Sequence, residues 1–442
     1  MQKLKDKMLI CWLAFWLIAG GFLFTETVKA AETLPRILQD LSAARSRLIE
    51  AKTDFLEANL AEMKFLIYKA GQVAEVLPLY KRGDPADWGD TPFWLYYIQT
   101  KAGTVFSWAA DVWMPYSLKF YGKYYIHGEP YYTGGQKYIN DLSGGCVELQ
   151  DKDAARVFRA AFMGEPLLII DQENDNYQYG SASKPLSGLS AKSYIIADVG
   201  NSAVLAEKNS QEQRPIYNLT SLITAAVITE NTNLKKIITI NSSLLVNPYE
   251  LSAVKLARKF SVVNLFYPLL AESSWNAGEA LSRLWGKQQT TAWMNEKAKT
   301  IGMAQTRFMD LAGIDAGNIS TAQDLFYLAR YIARTRPILL QISQRQKVRT
   351  LGTMPFSLVS LTQQNIFPKA KEFLGGKTSF SEGGRYSEVL FFSLKTATGQ
   401  ERRLVFIILD SADLKSDTVK AYSWLERTYF PVVGNLTAQA SR

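Results

Sequence analysis

The sequence predicts a multidomain protein in which a β-rich domain is followed by an α/β domain, preceded by a signal segment and a helical stalk. Three observations support this fold class. Short apolar stretches separated by turn residues fill positions 61–171, and a polar, Gly- and Ser-rich stretch without periodicity covers 172–190. Two strand-like runs and several helical patterns then occupy 191–434, which is typical of helices packed against a sheet.

The first 31 residues have the pattern of an export signal. Lysines at positions 3, 5 and 7 precede an apolar run from Met8 to Phe24, and small residues follow at Ala30 and Ala31. This run of about 17 residues is near the lower limit for crossing a bilayer, so cleavage and retention as a membrane anchor both stay open. In either case we expect the rest of the chain to lie outside the cytoplasm, in the cell wall or periplasm.

The period of the apolar residues changes along the first domain. Apolar positions at three- and four-residue steps predict a helix, either a stalk or a packing helix, over residues 32–60. From Met63 the pattern is that of strands, with a hairpin turn at Ala70 and Gly71. A helix is predicted from Asp151, and an apolar strand from Pro166 completes the domain.

The second domain is predicted to begin with two strands, near residues 194 and 203, and a helix near Asn218. Late strands are expected near 388–395 and 403–409, and a final helix over about 416–428. The net charge of +9 is spread along the chain and would favour contact with anionic wall polymers or headgroups. Without an arginine-rich helix or an aromatic–basic strand motif, it does not predict nucleic-acid binding.

The chemistry of the first domain is expected at Cys146 and His127. Cleavage of the signal would remove Cys11 and leave Cys146 as the single thiol, and His127 is the only histidine of the chain. A cysteine nucleophile needs a base close by, and a hairpin-like excursion around Thr133 would let the two residues meet. Gly144 and Gly145 would let backbone N–H groups approach an oxyanion. Helix-forming sequence after Cys146 would also lower the pKa of its thiol if the cysteine lay near the helix start. The alternative is a core cysteine and an unrelated histidine on the surface.

The residues around Cys146 resemble the L,D-transpeptidase catalytic domain of the YkuD type. The resemblance rests on Ile126-His127-Gly128 and Ser143-Gly144-Gly145-Cys146, and it extends over about 60–171. It implies a β-rich fold in which Cys146 attacks a peptidoglycan stem peptide between its third and fourth residues. It also implies His127 as general base and then acid, the Gly128 carbonyl as the group that orients its ring, and Ser143, Gly144 and Gly145 as oxyanion- or substrate-binding residues.

The sequence departs from the family pattern at three positions. Glu148 stands where the family usually has arginine, Gly144 stands where many members have histidine, and Trp94 replaces a usual glycine. A carboxylate at position 148 should weaken the binding of an anionic substrate group and raise the pKa of the thiol.

Residues 191 to about 432 resemble a serine D-alanyl-D-alanine carboxypeptidase of the low-molecular-mass penicillin-binding-protein type, which is β-lactamase-like. That family carries its serine nucleophile and activating lysine in an S-x-x-K motif. Asn218 and Ser221 occupy those two places here, so we predict an inactive site. The other two motifs correspond to Ser274 with Asn276, and to Lys377, Thr378 and Ser379.

Together these patterns predict an exported peptidoglycan L,D-transpeptidase with a non-catalytic second domain for substrate binding, scaffolding or regulation. An L,D-carboxypeptidase that uses water as acceptor and a non-catalytic wall-binding protein are the alternatives. No cofactor is expected. One histidine and one mature cysteine also do not make a zinc site without two carboxylates that the sequence does not indicate.

Overall fold

A computed structural model describes residues 41–430 apart from 85–88, 109, 140–142, 172–174, 183, 349–352, 366, 368–369 and 382. The predicted signal segment lies outside these residues, as does the beginning of the predicted stalk helix. Within the described part of the chain, no helix is long and apolar enough to cross a membrane. The described residues all belong to one compact unit.

Where the structure describes it, the N-terminal domain contains two helices and nine strands. The helices are α1 (Leu41–Glu50) and α2 (Asp151–Ala160). The strands are β1 (Phe55–Asn59), β2 (Lys64–Lys69), β3 (Gln72–Pro78), β4 (Trp94–Tyr97), β5 (Thr100–Ser107), β6 (Val112–Tyr121), β7 (Tyr124–His127), β8 (Val147–Glu148) and β9 (Pro166–Ile170).

These strands form two sheets, of which the second carries the predicted thiol site. One sheet has the order β3-β2-β1-β9-β4 and the other the order β5-β6-β7-β8. The predicted hairpin is confirmed, because β2 and β3 pair antiparallel around Ala70 and Gly71, whose φ angles are both positive. The predicted helix from Asp151 and the predicted strand from Pro166 are also confirmed.

The C-terminal domain has seven α-helices and nine strands among its described residues. The helices are α3 (Ser221–Asn231), α4 (Val262–Ala271), α5 (Trp275–Ser282), α6 (Lys287–Thr300), α7 (Ala322–Thr335), α8 (Pro337–Ser343) and α9 (Leu414–Tyr429). The strands are β10 (Ser193–Asp198), β11 (Val204–Lys208), β12 (Arg214–Pro215), β13 (Ile237–Thr239), β14 (Lys259–Ser261), β15 (Ile319–Ser320), β16 (Phe373–Phe380), β17 (Tyr386–Lys395) and β18 (Glu401–Ser411).

The main sheet of this domain is five-stranded and antiparallel, with the order β11-β10-β18-β17-β16. Helix α3 is buried along almost its whole length and follows a 3₁₀ turn, Tyr217–Thr220, which contains Asn218. Strand β16 carries the predicted Lys377 motif. The α/β architecture that the sequence predicts for this half is therefore confirmed.

The predicted helix over residues 32–60 is wrong beyond Glu50. Helix α1 ends there, Lys52 takes a positive φ of 51°, and the chain continues as β1, which lies between β2 and β9. The residues of β1 are almost all buried, and Phe55, Leu56 and Ala58 belong to the main apolar cluster. The described helix is not an isolated stalk, since Leu41 and Ala44 pack into the core.

The polar stretch 172–190, predicted as a linker, is packed against the C-terminal domain where the structure describes it. Tyr179 and Leu186 belong to a cluster of buried apolar side chains with β10, and the Tyr179 hydroxyl donates to Asp198 Oδ2 over 2.6 Å. The two domains also share their largest apolar cluster, which joins β1, β7 and β9 to α3, α4 and α7. The second domain is therefore in extensive apolar contact with the first.

Candidate active site

Cys146 lies immediately before β8, at the end of the excursion that begins after β7. Strand β8 pairs parallel with β7, with Val147 opposite Ile126 and Glu148 opposite His127. The backbone N–H of Tyr125 donates to the Cys146 Sγ over 3.4 Å. The thiol is only 7% exposed and packs against Val112 and Met114 of β6. Strand pairing therefore places Cys146 at the edge of β7, the strand that carries His127.

Residues 143–146 form a turn, hereafter the Cys146 turn. The Ser143 side chain and two glycines stabilise this turn. The Ser143 hydroxyl donates to the carbonyl of Cys146. Gly144 and Gly145 have φ angles of 65° and 105°, a region that favours glycine. A Cβ atom on Gly145 would also lie 2.5 Å from Cε1 of Tyr124. The three residues predicted to form the oxyanion region thus build one tight turn next to the thiol.

His127 is almost fully buried, and its ring is held in one orientation. Its Nδ1 lies 2.6 Å from the carbonyl oxygen of Gly128. A carbonyl can only accept, so Nδ1 carries the proton and Nε2 is left as an acceptor. Burial, together with a smaller effect of the nearby Lys81 charge, lowers the pKa of His127 to about 4 against the raising effect of the Gly128 hydrogen bond. The histidine is therefore neutral at pH 7, which is the form that can take a proton from a thiol.

The thiol is also neutral in the resting protein. Burial raises the pKa of the Cys146 thiol to about 11, against the smaller lowering effects of the Tyr125 N–H and the Lys123 charge. Tyr125 and His127 are two positions apart on one face of β7, which separates their Cα atoms by roughly 6.6 Å along the strand. The thiol and the imidazole are thus both neutral at pH 7, and Cys146 would have to lose its proton to react as a nucleophile.

The expectation that a helix start lowers the thiol pKa is wrong. Cys146 is followed by β8, and α2 begins only at Asp151. Val147 and Glu148 pair with β7 and with the chain at Lys81, so they extend the sheet instead of starting a helix. The field of a helix N-terminus falls off within its first turn, so it does not act on the thiol.

Glu148 is buried, and it is paired with a cation that sequence reasoning missed. Its Oε1 lies 3.0 Å from the Nζ of Lys81, and the two backbones are hydrogen bonded. Burial raises the pKa of Glu148, and Lys81 lowers it. As the sequence predicted, the Glu148 charge raises the pKa of the Cys146 thiol. Burial of the thiol is the larger cause of the raised pKa. Lys81 is 65 positions before Cys146 in the sequence. Only the fold brings Lys81 close to Glu148 and Cys146.

Lys123 is a second cation that sequence reasoning missed. It is half-buried and two positions before Tyr125, and its charge lowers the pKa of the Cys146 thiol. Burial lowers the pKa of Lys123 itself to about 8. Lys123 lies in the turn just before β7, so its position two residues before Tyr125 was the only signal from which the sequence could have indicated it.

The raised thiol pKa predicts slow alkylation of the resting protein. The rate constant for reaction of Cys146 with iodoacetamide should rise about tenfold per pH unit from pH 7 to pH 10, because only the thiolate reacts. Mass spectrometry of the peptide that contains Cys146 measures this rate at each pH. A plateau below pH 8 would contradict the burial argument and would indicate a thiolate–imidazolium pair instead.

Removal of the Glu148 charge is predicted to accelerate the same reaction. In Glu148→Gln the pKa of Cys146 should fall, so alkylation at pH 8 should be several-fold faster than in the wild-type protein. Glu129→Gln is the matched control, because Glu129 pairs with the exposed Lys137 and is not among the groups that shift the thiol pKa. Equal rates in the two variants would contradict the assigned role of Glu148.

In the C-terminal domain, Asn218 is buried and engaged by its neighbours. Its backbone N–H donates to the Ser379 hydroxyl over 3.0 Å, and its side-chain Nδ2 donates to the carbonyl of Ala312 over 3.2 Å. The Ser221 hydroxyl donates to the Asn218 carbonyl over 2.7 Å. The structure thus brings Asn218, Ser221 and Ser379 together, and each has a structural partner.

Lys377 is fully buried, and it faces Ser273 and not the predicted Ser274. Its ammonium donates to the Leu270 carbonyl over 3.0 Å and also to the Ser273 hydroxyl. Ser274 instead caps α5, accepting from the N–H of Ala277, and its hydroxyl donates to Glu250. Asn276 is bound to the backbone of Asn247. The predicted motif of Ser274 and Asn276 is therefore not assembled with Lys377, because the start of α5 turns both side chains toward residues 247–250.

The chain itself occupies the space beside Lys377. The Ser273 hydroxyl donates to Gln364 Oε1, and Asn365 Nδ2 donates to the carbonyl of Gly376 over 3.2 Å. The Thr378 hydroxyl donates to Asn365 Oδ1 over 3.4 Å. A ligand carboxylate would have to displace these groups to reach the ammonium of Lys377. In the described residues, no group of three or more His, Cys, Asp or Glu side chains is arranged to hold a metal ion.

The two halves of the chain match two known families. Residues 179–413, more than half of the chain, match the family model of D-alanyl-D-alanine carboxypeptidase, Peptidase_S11. The chain belongs to this family. Residues 53–169 match the L,D-transpeptidase catalytic domain, YkuD. Both predicted resemblances are confirmed in the predicted order, and the carboxypeptidase match begins inside the stretch that was predicted to be a linker.

Curated relatives match parts of the chain. A D-alanyl-D-alanine endopeptidase of Haemophilus influenzae is 34% identical over 148 residues, which are 32% of this chain and 50% of that protein. The D-alanyl-D-alanine carboxypeptidase DacB2 of Mycobacterium tuberculosis is 25% identical over 209 residues, 46% of this chain and 71% of that protein. The chain thus spans half the length of the first of these relatives.

Among solved structures, penicillin-binding protein D2 of Listeria monocytogenes is similar with a TM-score of 0.46 and 27% identity. That similarity covers 55% of this chain and 98% of the other. A D-alanyl-D-alanine carboxypeptidase of Mycobacterium tuberculosis has a TM-score of 0.48 and 21% identity, covering 61% of this chain and 98% of the other.

Proposed function

We propose that the protein is an exported peptidoglycan L,D-transpeptidase that acts through Cys146 and His127. The observation that carries the proposal is the contact of the thiol with β7. Cys146 Sγ accepts a hydrogen bond from the Tyr125 N–H, and His127 follows Tyr125 two residues later on the same strand. The match of residues 53–169 to the L,D-transpeptidase catalytic domain supports the same reaction type.

The first half-reaction forms a thioester. His127 Nε2 takes the thiol proton while Sγ attacks the carbonyl between the third and fourth residues of a tetrapeptide stem. The oxyanion develops beside the Cys146 turn, where the positive φ of Gly145 allows close backbone approach. The C–N bond then breaks, the imidazolium gives its proton to the departing amine, and D-alanine leaves.

The second half-reaction releases the enzyme. The amine of an acceptor stem attacks the thioester carbonyl, and its proton passes through His127 to the Cys146 sulfur as the C–S bond breaks. The products are a 3→3 cross-link and the free thiol. If water replaces the amine, the same steps yield a tripeptide stem, which is the L,D-carboxypeptidase alternative.

We propose that the C-terminal domain, although it belongs to the carboxypeptidase family, is not catalytic. Asparagine has no hydroxyl that could act as a nucleophile, and Asn218 stands where the family's S-x-x-K serine is expected. The burial of Lys377 and the contacts of Gln364 and Asn365 beside it favour a scaffold over the substrate-binding groove that the sequence also allowed.

The experiment that tests this proposal incubates the mature protein with a disaccharide tetrapeptide and measures D-alanine release and muropeptide products. The wild-type protein and Asn218→Ala should release D-alanine equally and form 3→3 dimers, whereas Cys146→Ala should release none. Tripeptide without dimers would identify the hydrolase. Loss of release in Asn218→Ala, or release that persists in Cys146→Ala, would contradict the proposal.

A further inference from the structure

The contact between the two domains contains a buried polar cluster next to the Cys146 turn. The C-terminal domain contributes Glu230 of α3, Lys297 of α6, Tyr331 of α7 and Arg336, which precedes α8. Glu230 Oε2 lies 3.0 Å from Lys297 Nζ, and Glu230 Oε1 lies 3.1 Å from Arg336 Nη2. The three ionised side chains have no solvent exposure. Burying charged groups costs stability unless their partners are well placed. Apolar side chains would pack the two domains together without this cost, so the charged cluster points to a role other than packing.

Arg336 extends from this cluster into the N-terminal domain at two points. Its Nη2 donates to the Tyr124 hydroxyl over 2.6 Å, and its Nη1 donates to the carbonyl oxygen of Asp90 over 2.9 Å. Tyr124 is the first residue of β7, the strand that carries His127. Asp90 lies in the segment between β3 and β4.

Tyr124 and the neighbour of Asp90 both lie against the Cys146 turn. The Tyr124 ring lies against Gly145, since a Cβ on Gly145 would be 2.5 Å from Tyr124 Cε1. Gly89, the neighbour of Asp90, lies against the other glycine, since a Cβ on Gly89 would be 2.9 Å from the Cα of Gly144. One guanidinium from the C-terminal domain therefore binds Tyr124, which contacts the turn, and Asp90, whose neighbour Gly89 contacts it.

We propose that Arg336 is a positioning residue for the Cys146 turn, so that the carboxypeptidase-family domain completes the thiol site of the transpeptidase domain. Arg336 does not contact the reacting atoms, and it acts through Tyr124 and Asp90. This inference rests on the proposed function and adds to it a role for the second domain that needs no peptidase chemistry. A planar guanidinium suits the role because its N–H groups form a rigid fork, whereas the three donors of an ammonium are compact and rotatable.

The test uses Tyr124→Phe, which removes only the hydroxyl that Arg336 binds, and Arg336→Lys, which keeps the charge but loses the fork. Tyr331→Phe is the matched control. It removes a hydroxyl that contacts Glu230 and Lys297 in the same cluster, and Tyr331 is not a partner of the Cys146 turn. All variants are compared with the wild-type protein under conditions in which circular dichroism shows them folded, and Tyr124→Phe keeps the test usable if Arg336→Lys does not fold.

Two rates are measured, and they should move in opposite directions. Acylation of Cys146 by a carbapenem should slow about tenfold to a hundredfold in Tyr124→Phe and Arg336→Lys, because the turn is misplaced. The maximal rate should change more than the carbapenem concentration that gives half of it. Alkylation by iodoacetamide at pH 9 should accelerate, because the thiol becomes more accessible. Tyr331→Phe should change neither rate more than about twofold, since a cluster residue away from the turn does not alter the geometry of attack.

The inference is overturned if the three variants change alike, or if Tyr124→Phe and Arg336→Lys leave both rates at the wild-type values. The alkylation rate does not depend on transpeptidase activity. If the wild-type protein forms no carbapenem adduct, the proposed function fails. Faster alkylation confined to Tyr124→Phe and Arg336→Lys would in that case still support the positioning role.

Discussion

Replacement of His127 by glutamine is expected to lower the rate constant for acylation of Cys146 by roughly 10²–10⁴-fold, the usual contribution of a general base. The resting thiol is protonated, so attack requires transfer of its proton, and a glutamine side chain cannot take it up. The same variant should leave the pH dependence of iodoacetamide alkylation unchanged, because neutral His127 does not stabilise the thiolate in the resting protein. Stopped-flow or quenched-flow acylation with a carbapenem measures the first effect, and peptide mass spectrometry measures the second.

Tyr125→Phe is the control for His127→Gln, because it alters a neighbouring side chain of β7 but keeps the backbone N–H that Cys146 Sγ accepts. Its acylation rate should remain close to that of the wild-type protein. If His127→Gln acylates within tenfold of the wild-type protein, His127 is not the base. If the variant shifts the alkylation profile to higher pH, an imidazolium was holding the thiolate, and the neutral-pair account is wrong.

Replacement of Glu230 by glutamine is expected to reduce the free energy of unfolding by about 3–5 kcal/mol, the usual cost of removing one partner from a buried ion pair. Glu230 contacts two buried cations, Lys297 and Arg336, and neither has solvent exposure with which to recover its hydration. These cations outweigh the burial of the carboxylate and lower the pKa of Glu230, so it is ionised at pH 7. Denaturant unfolding followed by far-UV circular dichroism measures the change.

Glu212→Gln is the matched control for Glu230→Gln. Glu212 also pairs with an arginine, Arg214, but it is 54% exposed, so its loss should cost about 1 kcal/mol or less. The two domains share one apolar cluster, and we therefore expect Glu230→Gln to destabilise both in a single transition. A loss of stability no larger than that of Glu212→Gln would show that the buried cluster relaxes around the missing charge.

The local features of the fold could be predicted from the sequence because each depends on neighbouring residues. The hairpin at Ala70 and Gly71 needs two positive φ angles, and the strands and final helix of the C-terminal domain follow apolar periodicity. The hydrogen bond between His127 and the Gly128 carbonyl also joins adjacent residues, but its role in orienting the ring was implied by the family resemblance and not by the local pattern. The helix predicted to residue 60 failed because the apolar spacing up to Phe55 fits both a helix and a buried strand, and sheet pairing decides between them.

Features that depend on distant residues could not be predicted in this way. Lys81 and Glu148 meet only through strand pairing, and Ser273 meets Lys377 only after α4 and β16 have packed together. The contact of Arg336 with Tyr124 joins residues 212 positions apart in different domains. No periodicity or motif connects such positions, and their partners become apparent only when the two domains are seen as one compact unit.

The measurement that tests the central claim most directly is the intact mass of the mature protein after incubation with a carbapenem. Attack of Cys146 Sγ on the lactam carbonyl opens the ring without a leaving group, so the mass should rise by one whole carbapenem. We expect this adduct in the wild-type protein and in Asn218→Ala, and none in Cys146→Ala. An adduct that persists in Cys146→Ala, or one that is lost in Asn218→Ala, would contradict a single working nucleophile at Cys146.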